Sequence, residues 1–161
     1  MKTKRVQFIT QAAMIAAIYV VLTVFISAFN LASGAIQVRI SEALTVLPAF
    51  TPAAIPGLFI GCLISNMATG CLPPDILLGS LATLLGAWGT YLLRHFKWAV
   101  PIPPILANAL IIPFVLTYVY HIPGGVPYFM LTVGIGEILS CGVLGMIVYN
   151  VMAKYRHVIF K

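Results

Sequence analysis

Three acids, Glu42, Asp75 and Glu137, are the only carboxylates on the side chains of this 161-residue chain. All three fall in or beside long apolar runs, where an ionisable side chain costs about 2.5–3.5 kcal/mol on insertion scales and usually marks a site or a structural pair. Glu137 follows Gly136 and precedes an apolar stretch, with no basic residue within two turns, so it is the first candidate for a ligand contact. Glu42 lies three residues after Arg39. On a helix the two could simply neutralise each other, which leaves Glu42 free to touch a ligand as well. Asp75 follows Pro73-Pro74 and precedes an apolar helix, the usual place for a helix cap. Asn66 and Asn108 sit inside apolar runs, either as ligand donors or as hydrogen-bond glue between helices. Gln37 completes the polar set. Several polar groups drawn from separate segments make a binding pocket open to the outside the economical reading.

The elements that must hold these groups are membrane spans. The chain is 61% hydrophobic and 7% charged, whereas a soluble domain carries roughly a quarter charged residues. A span needs about 20 apolar residues, and four runs supply that: 6–29, 76–93, 100–120 and 128–152. The segment 39–70 holds Pro48, Pro52 and Pro56 and must contribute two shorter or broken helices, over about 40–51 and 54–70. The expected fold is therefore an all-α integral membrane protein of six transmembrane helices, forming one membrane-embedded domain over residues 1–161. An irregular helix at membrane depth is tolerated only beside protein or a water-filled cavity, so the broken second helix itself hints at a pocket.

Orientation follows from the basic residues, which resist translocation. Lys2, Lys4 and Arg5 precede the first run, Arg94 and Lys97 separate the fourth from the fifth, and Lys154, Arg156 and Lys161 follow the last. Both termini are thus expected in the cytoplasm, leaving Arg39 alone on the outer side. On that map the acids lie in the outer half of the membrane, and the segment 30–38, with Ser33-Gly34, is the natural lid. The net charge of +6 reports topology and is no argument for nucleic acid. Cys62, Cys71 and Cys141 have no metal-type spacing and read as buried or reduced thiols. There is no G-x-x-x-x-G-K-[ST], so the chain has no ATPase motif of its own; no catalytic triad or metal motif appears, and no metal or bound cofactor is expected. Helix one carries Ala12, Ala13, Ala16 and Ala17, two overlapping small-xxx-small pairs that let a second helix approach closely, within the chain or on a partner.

Several runs carry a resemblance: Ala-Ile-Tyr-Val-Val-Leu-Thr (17–23), Ile-Gln-Val-Arg-Ile-Ser-Glu-Ala-Leu-Thr-Val-Leu-Pro (36–48), Gly-Leu-Phe-Ile-Gly-Cys-Leu-Ile-Ser-Asn (57–66), Pro-Pro-Ile-Leu-Ala-Asn-Ala-Leu (103–110) and Gly-Ile-Gly-Glu (134–137). They are similar to the QueT family, and the small six-span layout with its alanine stripe resembles the substrate-binding (S) component of an energy-coupling factor (ECF) transporter. That resemblance implies uptake of a queuosine precursor of 7-deazaguanine type, such as 7-aminomethyl-7-deazaguanine or queuine. It also implies docking through helix one on an ECF transmembrane coupling subunit driven by two cytoplasmic ATPase subunits, with ATP consumed by those partners. Glu137 or Glu42 would then take the guanine-like edge and the other acid the amine, with Asn66, Asn108, Gln37 or Arg39 donating to the carbonyl. A stand-alone proton-coupled carrier using Glu137 as its proton site, or an S component for a different vitamin, are the rival readings.

Overall fold

The computed structural model describes residues 2–28 and 39–159. Among the described residues every regular element is a helix. Helix α1 spans Lys2–Ala28, α2 is a 3-10 helix over Ile40–Ala49, α3 spans Ala54–Ala68 and α4 spans Pro73–Leu92. Helix α5 runs over Ile102–Phe114 and widens into a π segment, Val115–Val119. Helix α6 begins as Val126–Glu137, passes through a second π segment, Ile138–Leu144, and continues as Gly145–Ile159. Gln37 and the expected lid, 30–38, lie outside the described residues.

Among the described residues four stretches are long and apolar enough to cross a membrane: Thr3–Ala28, Pro73–Leu92, Ile102–Val119 and Val126–Tyr155. They match the four clear runs in the sequence. The two helices expected over 40–51 and 54–70 are indeed the short ones. At about 2.0 Å per residue for a 3-10 helix the ten residues of α2 extend roughly 20 Å, and at about 1.5 Å per residue the fifteen of α3 extend roughly 22 Å. Both fall below a hydrocarbon core of about 30 Å. Proline explains the interruption: Pro48 lies inside α2, and Pro52 occupies the turn between α2 and α3, where its missing N–H and fixed φ oppose a continuous helix.

Burial is inverted relative to a protein folded in water. Ile9, Val21, Leu77 and Leu131 are 65–69% exposed, while Ser41, Thr45, Ser65, Ser80 and Thr90 are at most 1% exposed. Apolar groups face outward and hydroxyls face inward, as expected where the surrounding solvent is lipid. Each of these hydroxyls is hydrogen-bonded; Thr90, for example, donates to the Val100 carbonyl at 2.9 Å and Ser80 to the Ile76 carbonyl at 2.6 Å.

Small residues set the helix spacing. A Cβ on Gly57 would stand 2.7 Å from the Ala12 carbonyl oxygen, and one on Gly61 would stand 2.9 Å from Cβ of Tyr19 and 3.1 Å from Cα of Ala16. Helices α1 and α3 thus meet backbone to backbone, the contact that small residues permit inside membranes. The same device joins α4 to α5, where a Cβ on Gly86 would approach Cα of Pro104 to 2.7 Å. Two clusters fill the remaining interior. Ile15, Tyr19, Leu47, Leu58 and Cys62 pack at the α1–α2–α3 junction, and Ile112, Leu116, Phe129 and Val133 pack between α5 and α6.

Candidate substrate site

Glu42 stands in the first turn of α2 and is 1% exposed; Glu137 ends the regular part of α6 and is 5% exposed. Although 95 residues apart in the chain, they converge: one oxygen of each carboxylate and the Cys141 sulfur all lie within 4.8 Å of one another. The π segment that begins at Ile138 carries Cys141, and extra-wide turns of this kind are frequent at functional sites. The Cys141 thiol is 3.1 Å from Oε2 of Glu137, 3.4 Å from the Glu42 carbonyl oxygen and 3.4 Å from Oγ1 of Thr45. It ties the two acid-bearing elements together. These three donors are close enough to hold a metal ion on distance alone, but the thiol already hydrogen-bonds within the protein.

Tyr19 of α1, 1% exposed, donates its phenol O–H to Oε1 of Glu42. The Thr23 hydroxyl, one turn further along α1, bonds the Tyr19 carbonyl at 2.8 Å and the Ser41 hydroxyl at 2.8 Å. Helix α1 is therefore laced to the start of α2 at the acid. Tyr19 was absent from the sequence-derived set because Ala-Ile-Tyr-Val reads as an apolar core run. The signal that could have found it is position: it lies three and seven residues beyond Ala16 and Ala12, on the face that packs against α3, and a buried tyrosine hydroxyl needs a partner.

Among the described residues three buried side-chain polar atoms have no hydrogen-bond partner: Oε2 of Glu42, Nδ2 of Asn108 and Oγ of Ser140. Asn108, midway along α5 and 4% exposed, interacts with both carboxylates without reaching hydrogen-bonding geometry with either. Buried polar groups are nearly always paired in native proteins, and two of these three, Oε2 of Glu42 and Nδ2 of Asn108, belong to the acid centre.

The remaining candidates surround this centre. Arg39 precedes α2, and its charge acts on Glu42, Glu137 and Asp75, yet it forms no direct ion pair with them among the described residues. Asn66, 2% exposed, points its amide nitrogen at the Cys62 sulfur, 3.6 Å away, and over Gly79, where a Cβ would meet that nitrogen at 3.1 Å and Oδ1 of Asp75 at 3.5 Å. Asp75 is not a helix cap. Leu72 holds the cap position of α4 without a side-chain bond, because Pro73 and Pro74 push Asp75 to the third helical residue. Its Oδ2 instead accepts from the Tyr120 hydroxyl at 2.8 Å, and that hydroxyl accepts from the Leu72 N–H at 3.2 Å. Burial, with Asp75 beside it, raises the Tyr120 phenol above its ordinary range. Asp75 thereby fastens the end of α5 to the start of α4.

The alanine stripe divides. Ala12 and Ala16 face Gly57 and Gly61 of α3, whereas Ala13 and Ala17 are exposed on the outer side of α1.

Helices throughout the regular elements of the described residues, an outward apolar surface and a buried polar centre drawn from several helices define a multi-pass membrane protein. The family model described as the QueT transporter matches residues 9–154, and the chain belongs to that family. A relative from Lactococcus lactis subsp. cremoris (strain MG1363), named Queuosine precursor transporter QueT, is 35% identical over 98 residues, 60% of this chain and 57% of that protein. The match thus spans little more than half the length of that curated relative. No solved structure matches the chain.

Proposed function

We propose that the chain is the substrate-binding component of an ATP-driven importer of the energy-coupling factor type, and that it captures a queuosine precursor, a 7-deazaguanine, from the outer side. The observation that carries this reading is the meeting of Glu42 and Glu137 within 4.8 Å beside the unpartnered amide of Asn108. A deazaguanine offers several N–H donors and one carbonyl acceptor, complementary to carboxylates and to an amide N–H. Arg39 and Asn66 supply further donors at the edge of the site, and Gln37 belongs to the same proposed set. The Lactococcus relative, named as a queuosine precursor transporter, supports the substrate class.

The proposed topology has six crossings with both termini in the cytoplasm. It rests on the clustering of Lys and Arg at the two termini and at residues 94–97, with α2 and α3 as short crossings wrapped by the longer helices. Transport energy comes from ATP hydrolysed by two partner ATPases and passed through a transmembrane coupling subunit. The exposed Ala13–Ala17 face of α1 is the docking surface, because Ala12 and Ala16 are already committed to α3.

The experiment is uptake of a labelled 7-deazaguanine by cells expressing the chain, with and without the coupling subunit and ATPases. Uptake that requires all partners is expected. Uptake that persists without them and collapses with the proton gradient would replace this reading with a proton-coupled carrier centred on Glu137.

A further inference from the structure

We propose that the chain holds an anionic phospholipid by its phosphate headgroup, in a cleft between the start of α1 and the turn that joins α2 to α3. A cavity of about 260 Å³ opens there. Lys4, Gln7 and Gln11 of α1 and Thr51 of the turn are among its polar walls, and Phe8 and Phe50 among its apolar ones. The Thr51 hydroxyl donates to Oε1 of Gln11 at 2.9 Å. That bond turns the amide oxygen of Gln11 toward Thr51 and leaves its two N–H donors for another acceptor. An ammonium and two side-chain amides are donors suited to phosphate oxygens, and the ammonium makes the contact charge-assisted.

The charge around this cleft is of one sign. Phe50 caps the end of α2, and Glu42 stands in the first turn of that helix, roughly 16 Å away at about 2.0 Å per residue. Glu137 lies beside Glu42, and Asp75 lies beside Asn66, near the far end of α3. The three acids therefore gather at the opposite end of the short helices. Phe50 packs against Tyr149 with ring centroids 4.9 Å apart, and Nζ of Lys97 stands 6.0 Å from the Tyr149 ring and 5.4 Å from the Trp98 ring. Lys4, through the cavity, and Lys97, through Tyr149, are thus both neighbours of Phe50. A free phosphate would use the polar walls alone. The apolar walls, with Phe8 and Ile9 exposed on α1 and Phe96 and Trp98 exposed on either side of Lys97, suit the glycerol esters and acyl chains of a lipid, as aromatic and basic groups do at membrane interfaces. This end is the one proposed to face the cytoplasm, where anionic lipids concentrate. The inference stands apart from the substrate reading.

The test is native mass spectrometry of the purified full chain in a neutral detergent, titrated with phosphatidylglycerol and with phosphatidylcholine of matched acyl chains. One phosphatidylglycerol is expected to be retained at least about tenfold more tightly than phosphatidylcholine, given about fivefold for each lysine near an anionic headgroup. In Lys4→Gln that retention is expected to weaken about fivefold. In Lys154→Gln, where the lost ammonium stood over the Tyr155 ring, it should change less than about twofold. Both lysines are exposed, and the wild-type comparison needs no variant to fold. Equal retention of the two lipids by the wild type overturns the proposal. Equal losses in the two variants overturn it as well, since they would show diffuse attraction to a basic surface in place of a site. Displacement of the bound lipid by millimolar inorganic phosphate would show a free-anion site and overturn the lipid assignment.

Discussion

Tyr19→Phe isolates the contact that joins α1 to the acid centre. The substitution keeps the ring, which is 1% exposed and packs where Gly61 gives it room, and removes only the hydroxyl that donates to Glu42. Oε2 of Glu42 is already unpartnered, so the variant leaves a buried carboxylate with no direct side-chain donor among the described residues. A hydrogen bond to a charged group contributes about 1.5–3 kcal/mol. At about 2–4 °C per kcal/mol for a chain of this size, thermal unfolding of the ligand-free protein in detergent should drop by roughly 3–12 °C. The loss belongs to the pair only if it depends on the carboxylate, so Glu42→Gln and the double variant complete a cycle. A coupling of about 1 kcal/mol or more between the two sites is expected. Additivity within about 0.5 kcal/mol, the scatter of independent sites, would show that Tyr19 and Glu42 do not meet, and the picture of α1 laced to the acid centre would fail.

Other outcomes follow from the same geometry. Glu137→Gln should weaken ligand binding by about 2–5 kcal/mol, the range for truncating one member of a buried charged contact, read by titration calorimetry. Gly61→Leu should destabilise the protein by several °C in the same unfolding assay, since its first added carbon would lie 2.9 Å from Cβ of Tyr19 and overpacking costs about 1–3 kcal/mol. Ala17→Leu, on the exposed face of α1, should leave both stability and ligand binding unchanged while abolishing uptake; normal uptake would remove that face from the docking surface. Tyr120→Phe should cost about 0.5–1.5 kcal/mol in unfolding experiments, because it breaks the Asp75–Leu72 fastening, with little change in binding.

The parts of this arrangement that were legible in the sequence are those governed by cost. Charged and amide groups are expensive in apolar segments, so Glu42, Glu137 and Asn108 stood out, and the fold gathers all three. The short, proline-marked second and third helices were legible for the same reason, since three prolines within nine residues oppose a long span. Other features depend on register rather than composition. Ala12 and Ala16 differ from Ala13 and Ala17 by one residue, about 100° around a helix, and only packing against Gly57 and Gly61 decides which pair turns inward. Cys141 read as a bland thiol, but the π segment sets it between the acid-bearing elements, and no hydrophobic periodicity announces such a turn. Asp75 read as a cap, whereas two preceding prolines move it into the helix and toward Tyr120. Tyr19 was concealed because an aromatic inside an apolar run carries no charge to betray its hydrogen bond.

Titration of the purified chain alone with 7-aminomethyl-7-deazaguanine, for the wild type and for Glu137→Gln side by side, tests the central claim most directly. Saturable one-to-one binding in the wild type, weakened at least about 30-fold in the variant, is the predicted result. Binding that is absent in the wild type, or that is unchanged when the carboxylate of Glu137 is lost, would contradict it.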